Sequence, residues 1–240
     1  MRTRDPSKEL AIRRKAMEIA VREGFDGLSM HKVARAAKVS AATLYVYFED
    51  SDDLLVQVYL EESEKAFAAM MENFDPGLSF AQGLRVQWFN RARYYMKNPT
   101  AMLFLEQFKH TPLHERALAL GSSAFREAMQ AFVRGAIQRG ELVRAPIEVY
   151  WSVAFAPLYQ LVKFHSQGKS LPGAGKFVLD EALLLQTLDL VLKALTPLPG
   201  RDTIREDDAT ARANESLEKK KAPPKPKGGQ TSARKRKSLS

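Results

Sequence analysis

Four histidines and the acidic residues near them are the best candidates for catalysis or metal binding, because the 240-residue chain has no cysteine. Glu106, His110 and His114 recur at intervals of four residues, a spacing that can place metal ligands on one face of a helix. Thr111-Pro112 interrupts that helix, so the pattern also fits solvent-facing polar side chains, which we favour. We therefore expect no metal and no cofactor. The lack of cysteine, of a glycine-rich phosphate loop and of a Gly-x-Ser-x-Gly elbow argues against an enzyme.

Residues 28–48 indicate a different chemistry, namely nucleic-acid binding. Two short helices are predicted at residues 30–36 and 41–48, and Ser29 and Ser40 stand at their N-cap positions. Helices this short are unstable alone, so they must share a small core. That core is predicted to contain Val33, Ala34, Val39, Leu44 and Phe48. The pattern is a helix-turn-helix.

The face of the second helix that points away from this core is nearly uncharged. It mixes small side chains with hydroxyl groups, which suits entry into a DNA major groove: hydroxyls can meet base edges or phosphates, and methyl groups can meet thymine. The helix N-termini at Ser29 and Ser40 can also direct backbone N–H groups at phosphate. We expect double-stranded DNA as a partner.

These residues closely resemble the N-terminal domain of TetR-family transcriptional repressors. The resemblance rests on segments 24–29 (GFDGLS), 33–40 (VARAAKVS), 43–48 (TLYVYF) and 53–55 (DLL), within residues 12–59. It implies an all-helical homodimer whose N-terminal domain binds a palindromic operator and whose larger C-terminal domain binds a small inducer. By this resemblance, the operator-contacting residues are Ser29, Ser40, Ala41, Ala42, Thr43, Tyr45, Val46 and Tyr47.

The acidic segment 49–53 (EDSDD) departs from the family pattern, which often has a phosphate-contacting lysine where this chain has Ser51. Either one phosphate contact is lost here, or Asp50 caps the next helix and Asp52 and Asp53 complement its dipole, which we favour. Basic residues that could compensate in DNA binding are Arg2, Arg4, Lys8, Arg13, Arg14 and Lys15.

The secondary-structure elements that must position these residues are all predicted to be helices, because apolar residues recur at helical spacing and no alternating strand pattern is evident. The expected fold is all-α, with an N-terminal three-helix helix-turn-helix domain (residues 1–50) and a larger helical domain for ligand binding and dimerisation (51–197). Within the larger domain, helices are expected at residues 51–74, 80–98, 100–110, 114–139, 146–167 and 176–195, with a kink at Pro157.

The larger domain is rich in aromatic and methionine side chains. Most are expected to form ordinary core. Some could instead line an apolar ligand cavity between helices, and few charges fall among them, so we expect a small hydrophobic or aromatic ligand. The candidate ligand-binding residues are Trp88, Tyr95, Phe104, Phe108, Phe125, Met129, Trp151, Phe155 and Tyr159.

The last two helices carry apolar faces that are wider than one core can use, which suggests that they pair with a second copy of the chain. The final helix contributes Phe177, Leu183, Leu184, Leu188, Val191, Leu192 and Leu195. A homodimer is also needed to place two recognition helices in successive major grooves, roughly 34–36 Å apart.

The net charge of +9 belongs to the end of the chain, because residues 219–240 hold nine basic residues and no acidic one. Segment 198–240 is expected to be a disordered basic tail, which either only aids solubility or tethers the protein to DNA electrostatically. The longest charge-free apolar run, residues 149–162, is too short to span a membrane. No secretory signal is evident, so we expect a cytoplasmic protein without membrane contact.

The sequence therefore predicts a ligand-responsive transcriptional regulator, acting as a repressor that an inducer releases from its operator. One alternative is a nucleoid or division-linked DNA-binding protein of the same fold, whose larger domain binds a protein partner. A soluble enzyme with a helical core is a further alternative, disfavoured because no acid–base or nucleophile cluster is present.

Overall fold

In the computed structural model, residues 5–168, 172 and 175–198 are described, and this part of the chain folds into ten α-helices with no strand. The all-α prediction is thus confirmed. The helices are α1 (Pro6–Glu23), α2 (Met30–Ala36), α3 (Ala41–Leu44), α4 (Ser51–Met70), α5 (Phe80–Lys97), α6 (Pro99–Phe108), α7 (Leu113–Leu120), α8 (Ala124–Gln138), α9 (Ile147–Gln167) and α10 (Glu181–Leu195). Residues 199–240, which hold nearly all of the predicted basic tail, lie outside the described residues, as do Arg2 and Arg4.

Helix α1 begins and ends at the residues that the sequence indicates. The Asp5 carboxylate accepts a hydrogen bond from the Ser7 backbone N–H at 3.0 Å, and Pro6 occupies the first helical position, where no N–H is needed. Gly24 ends the helix with a φ of +83°, a left-handed conformation that glycine adopts without strain.

Four predicted helices have clearly different bounds in the structure, and one of them, predicted at residues 51–74, ends as α4 at Met70. The segment predicted at 114–139 is split into α7 and α8 by Gly121, Ser122 and Ser123, and the Ser122 hydroxyl accepts from the Ala124 N–H at 3.2 Å. Helix α3 ends at Leu44, and the next residues form tighter turns in which the Tyr47 N–H donates to the Leu44 carbonyl. The β-branched and aromatic side chains that follow Leu44 favour this shortening.

The last helix begins at Glu181, five residues later than predicted. Asp180 caps it by accepting from the Leu183 N–H at 2.8 Å, and the Leu179 N–H donates to Nδ1 of His165 on α9 at 3.0 Å. Phe177, predicted to lie on this helix, therefore precedes it and packs edge-on against Phe164. No helix in the described segments combines the length and hydropathy needed to cross a bilayer.

Helix α5 lies at the centre of the packing and contacts α4, α6, α8, α9 and α10. The side-chain amides of Gln87 and Asn90 on α5 both donate to the Met70 carbonyl at the end of α4, at 2.9 and 3.1 Å. Helix α1 contacts α2, α4 and α6, so α4 and α6 touch both the helix-turn-helix segment and the larger helical part. The proposed domain boundaries at residues 50 and 197 stay a prediction.

Candidate nucleic-acid interface and ligand site

The helix-turn-helix is held together by the core that the sequence predicts. Val33, Ala34, Leu44 and Phe48 are buried, and Val39 is half-buried against them. Both predicted N-caps are confirmed: the Ser29 hydroxyl accepts from the Lys32 N–H at 3.4 Å, and the Ser40 hydroxyl accepts from the Thr43 N–H at 3.0 Å. The caps fix where each short helix begins, and therefore which side chains α3 presents outward.

The outward face of α3 and the turn after it is uncharged and accessible. Tyr45 is 54% exposed and Val46 is 40% exposed, and Ala42 is exposed beside them. Thr43 is half-buried, and its hydroxyl shares a hydrogen bond with the Ser40 hydroxyl at 2.8 Å. Such a surface can approach base edges without the cost of removing water from a charge.

Tyr47 differs from the other predicted DNA-contacting residues because its hydroxyl bonds a residue outside the helix-turn-helix. It accepts from the Asp5 backbone N–H at 2.7 Å and donates to the Asp5 carbonyl at 3.3 Å. Through these two hydrogen bonds, Tyr47 links the start of α1 to the end of the helix-turn-helix. The pattern of residues gave no indication of this role, since the two residues lie 42 positions apart.

Two basic residues beside the turn, Arg35 and Lys38, were absent from the predicted site. Both are exposed, and neither forms an ion pair within the described part of the chain. Lys38 has a φ of +56° in the turn between α2 and α3. Lys32, by contrast, is engaged with the Gly27 carbonyl at 2.8 Å and with Glu23 at 3.1 Å. Arg35 and Lys38 could have been identified from the sequence, because they are positively charged residues within a DNA-binding motif.

The acidic segment before α4 serves as a helix cap. The Asp50 carboxylate accepts from the Asp53 N–H at 2.8 Å, and the Asp53 carboxylate accepts from the Glu49 N–H at 3.0 Å. The first bond satisfies a backbone donor in the first turn of the helix, and the second holds the residue before the cap against that turn. The prediction that Asp50 caps α4 is confirmed.

Eight of the nine candidate ligand-binding residues fall into two clusters. The ninth, Met129, is also buried in the hydrophobic core. Phe104 and Phe108 form one cluster with residues outside the candidate set. The other six form a larger group: Trp88, Tyr95, Phe125, Trp151, Phe155 and Tyr159. Four of these rings contact in sequence, with Trp151 4.7 Å from Phe155, Phe155 6.5 Å from Tyr159 and Tyr159 5.9 Å from Tyr95, centroid to centroid. The Trp88 indole N–H donates to the Ala154 carbonyl at 2.7 Å, on the helix that carries Trp151 and Phe155.

Arg91 lies in the middle of the larger cluster and is fully buried. Its guanidinium carbon lies 4.2 Å from the ring centroid of Phe155, 5.7 Å from that of Phe125 and 5.8 Å from that of Trp151. The sequence predicts few charges among these residues, and the structure corrects this prediction by placing the charged Arg91 side chain between their rings. Spacing could have revealed it, because Arg91 follows Trp88 by three residues and precedes Tyr95 by four, on one face of α5.

The smaller cluster connects the helix-turn-helix segment to the larger helical part. Phe25, in the turn after α1, lies 5.5 Å from Phe104 and 5.8 Å from Phe108, both on α6. Tyr59 of α4 stacks on Phe108 at 4.3 Å, and its hydroxyl hydrogen-bonds Nε2 of His114 at 3.3 Å. Burial, followed by the charge of nearby Lys109, lowers the pKa of His114.

No group of three or more His, Asp or Glu side chains placed to hold a metal occurs among residues 5–168 and 175–198. The predicted spacing of Glu106, His110 and His114 is broken at the end of α6, where the Thr111 hydroxyl donates to the Phe108 carbonyl at 2.8 Å. His114 then lies on a different helix, α7.

The helices predicted to form the dimer retain apolar surface. On α10, Leu184, Leu188, Val191 and Leu195 are buried within the chain, whereas Leu190 is 61% exposed. At the start of α9, Ile147 is 55% exposed and borders a shallow apolar groove with Trp151.

The N-terminal helices match a known family of proteins. Residues 12–58 match the model of the tetR family of bacterial regulatory proteins. A curated HTH-type transcriptional regulator of Haemophilus influenzae, itself uncharacterized, is 34% identical over 94 residues, which are 39% of this chain and 50% of that protein. This chain thus spans about half the length of that relative.

The fold has close counterparts among solved structures. A TetR family transcription regulator from Marinobacter aquaeolei VT8 is 26% identical with a TM-score of 0.69, over 82% of this chain and 100% of that one. A TetR-family regulator from Haemophilus influenzae is 22% identical with a TM-score of 0.64, over 80% of this chain and 98% of that one. The second likeness concerns the fold alone.

Proposed function

We propose that the chain is a ligand-responsive repressor of transcription of the TetR family, whose model its residues 12–58 match. It binds a palindromic operator as a homodimer, and a small hydrophobic or aromatic inducer releases it. The observation that carries this proposal is the uncharged, exposed face of α3, held by two capped helix starts. We place the protein in the cytoplasm, where it meets DNA, and assign it no enzymatic activity.

In the DNA complex, α3 and the turn after it enter the major groove. Tyr45 and Thr43 offer hydroxyls to base edges or phosphates, and Ala42 and Val46 offer methyl groups to thymine. Ser29, Ser40 and Ala41 lie nearest the phosphates at the helix starts. Tyr47 acts through Asp5, whose position it fixes, as well as by direct contact. Arg35 and Lys38 add non-specific phosphate contacts.

The homodimer forms through α9 and α10. Two recognition helices must lie roughly 34–36 Å apart to read the two halves of a palindrome, which one copy of the chain cannot do. The exposed Ile147 and Leu190 and the half-buried Trp151 supply apolar area for this interface. A monomer at micromolar concentration in light scattering would contradict this part of the proposal.

Inducer binding alters the spacing of the recognition helices through α6 and α4. The ligand occupies the aromatic cluster of the larger helical part, and Phe104 and Phe108 transmit its effect to Phe25 beside the helix-turn-helix. A ligand that binds one arrangement more tightly lowers operator affinity by linkage. The proposal is supported by the contacts of Phe25 with α6.

The test is capture of sheared genomic DNA by the full-length protein at about 150 mM salt, where non-specific binding is weak, followed by sequencing. We expect a few strong palindromic sites. Tyr45→Phe removes one hydroxyl from the proposed groove-facing surface and should weaken or shift those sites, whereas Tyr94→Phe on α5 is a matched control that should not. Broad retention without preferred sites would refute the operator function and favour the nucleoid-type alternative.

A further inference from the structure

Among the described residues, none supplies a counter-charge for Arg91. The guanidinium Nε donates to the Tyr159 hydroxyl at 3.2 Å, and Nη1 donates to the backbone and side-chain oxygens of Gln87, one helical turn earlier. All of these acceptors are neutral. Within the described part of the chain, no carboxylate lies within ion-pair distance of Arg91, and its Nη2 has no hydrogen-bond partner.

This arrangement is unusual for an arginine that is fully buried. A guanidinium group carries a positive charge, and a buried charge is costly unless it is paired and hydrogen-bonded. The three surrounding rings offset part of this cost through cation–π contact. They cannot satisfy Nη2, which remains a charged donor directed into an apolar environment.

A second unpartnered donor lies beside Phe155. The Tyr150 hydroxyl is buried, and it also has no hydrogen-bond partner among the described residues. Its ring centroid lies 6.2 Å from that of Phe155, the ring over which the Arg91 guanidinium sits. Burial raises the pKa of Tyr150, so its hydroxyl keeps the proton that it can donate.

We propose that the Arg91 site binds the carboxylate of a small organic acid whose remaining body is apolar. The carboxylate accepts from Nη2 of Arg91 and supplies the missing negative charge, with the Tyr150 hydroxyl as a second donor. The hydrocarbon or aromatic body packs against Phe155, Phe125 and Trp151. This inference rests on the proposed function, because it specifies the chemical class of the inducer.

We expect a ligand to enter this site past Phe125. Its ring stacks on Phe67 of α4 at a centroid distance of 4.4 Å, and the pair borders a cleft between α4, α7 and α8. The other side of Phe125 faces Arg91. The cleft holds only about 130 Å³, whereas typical ligand pockets hold roughly 300 to 1,000 Å³. A ligand that enters here must therefore displace the Phe125 ring to reach the guanidinium.

The experiment compares acids with alcohols of the same carbon skeleton by isothermal titration calorimetry on the full-length protein. Octanoate is paired with octanol, and phenylbutyrate with phenylbutanol, so both aliphatic and aromatic bodies are represented. We expect at least one acid to bind about tenfold or more tightly than its alcohol, because hydrogen bonds to charged groups are the stronger class.

Substitutions then locate the effect. Arg91→Met keeps an unbranched apolar side chain and should abolish the preference for the acid. Tyr150→Phe should weaken acid binding by a smaller factor. Arg85→Met is the matched control, since Arg85 lies on the same helix and over the Phe89 ring at 5.1 Å, but is exposed. Circular dichroism checks that each variant is folded.

Equal binding of acid and alcohol by the unmodified protein would overturn the inference even if Arg91→Met fails to fold. So would the failure of both acids to bind at millimolar concentration, or unchanged acid binding by folded Arg91→Met. Operator capture, measured in parallel, separates the two proposals. Specific DNA sites without acid binding refute only this inference, whereas acid binding without specific DNA sites refutes only the repressor function.

Discussion

Gly83→Ala tests the packing that places α5 against α8. A Cβ at this position would lie 2.6 Å from Cζ of Phe132 and closer still to its Cε2. Ordinary carbon contacts are about 3.5–4.0 Å, so the ring would have to move by roughly 1 Å. Phe132 is fully buried between Phe74 and Phe80, with ring centroids 5.2 and 5.9 Å away, and has no space to move into.

The expected loss of stability follows from two opposing effects. Forcing a methyl group into a filled core costs about 1–3 kcal/mol. Replacing glycine by alanine within a helix returns roughly 0.5–1 kcal/mol. The net free energy of unfolding should therefore fall by about 1–2 kcal/mol. For a chain of this length, that lowers Tm by roughly 2–8 °C.

Thermal and urea unfolding followed by circular dichroism measure this change. Gly135→Ala in α8 is the matched control, because its added Cβ meets only the end of the flexible Arg139 side chain, at 2.9 Å. That variant should be neutral or slightly more stable. In a Phe132→Leu background, Gly83→Ala should cost less, since part of the ring is gone. Equal stability of the two alanine variants would refute the steric argument.

Three further outcomes are expected. Ser40→Ala removes the cap of α3 and should lower stability by about 1 kcal/mol and reduce operator affinity, measured by urea unfolding and fluorescence anisotropy. Phe25→Leu removes the ring contacts with α6, so anisotropy should show less ligand-induced release from DNA while affinity without ligand changes little; full release would contradict the coupling through α6. Replacing the four basic residues 234–237 by glutamine should reduce the salt slope of DNA binding by up to about 3–4 without changing site preference, and an unchanged slope would refute the tether.

The sequence alone predicts the helix-turn-helix, because the caps and apolar contacts that form it join residues close together in the chain. The cap residues Ser29, Ser40 and Asp50 lie within three residues of the N–H groups that they satisfy, so spacing alone predicts them. The apolar residues of the motif pack within a segment of about 20 residues. The engagement of Tyr47 with Asp5 was missed because it joins positions that are far apart in the chain.

The proposed ligand site could be located only from the tertiary structure. Periodicity identifies the buried face of each helix but not which faces meet, so the nine aromatic and methionine candidates could not be divided in advance. An arginine is also expected at the surface, because removing its charge from water is costly. Only the packing of α5 against α8 and α9 shows that Arg91 is enclosed by aromatic rings without a carboxylate. The local spacing of side chains thus determined the DNA-binding motif, and non-local contacts between helices decided what the larger helical part encloses.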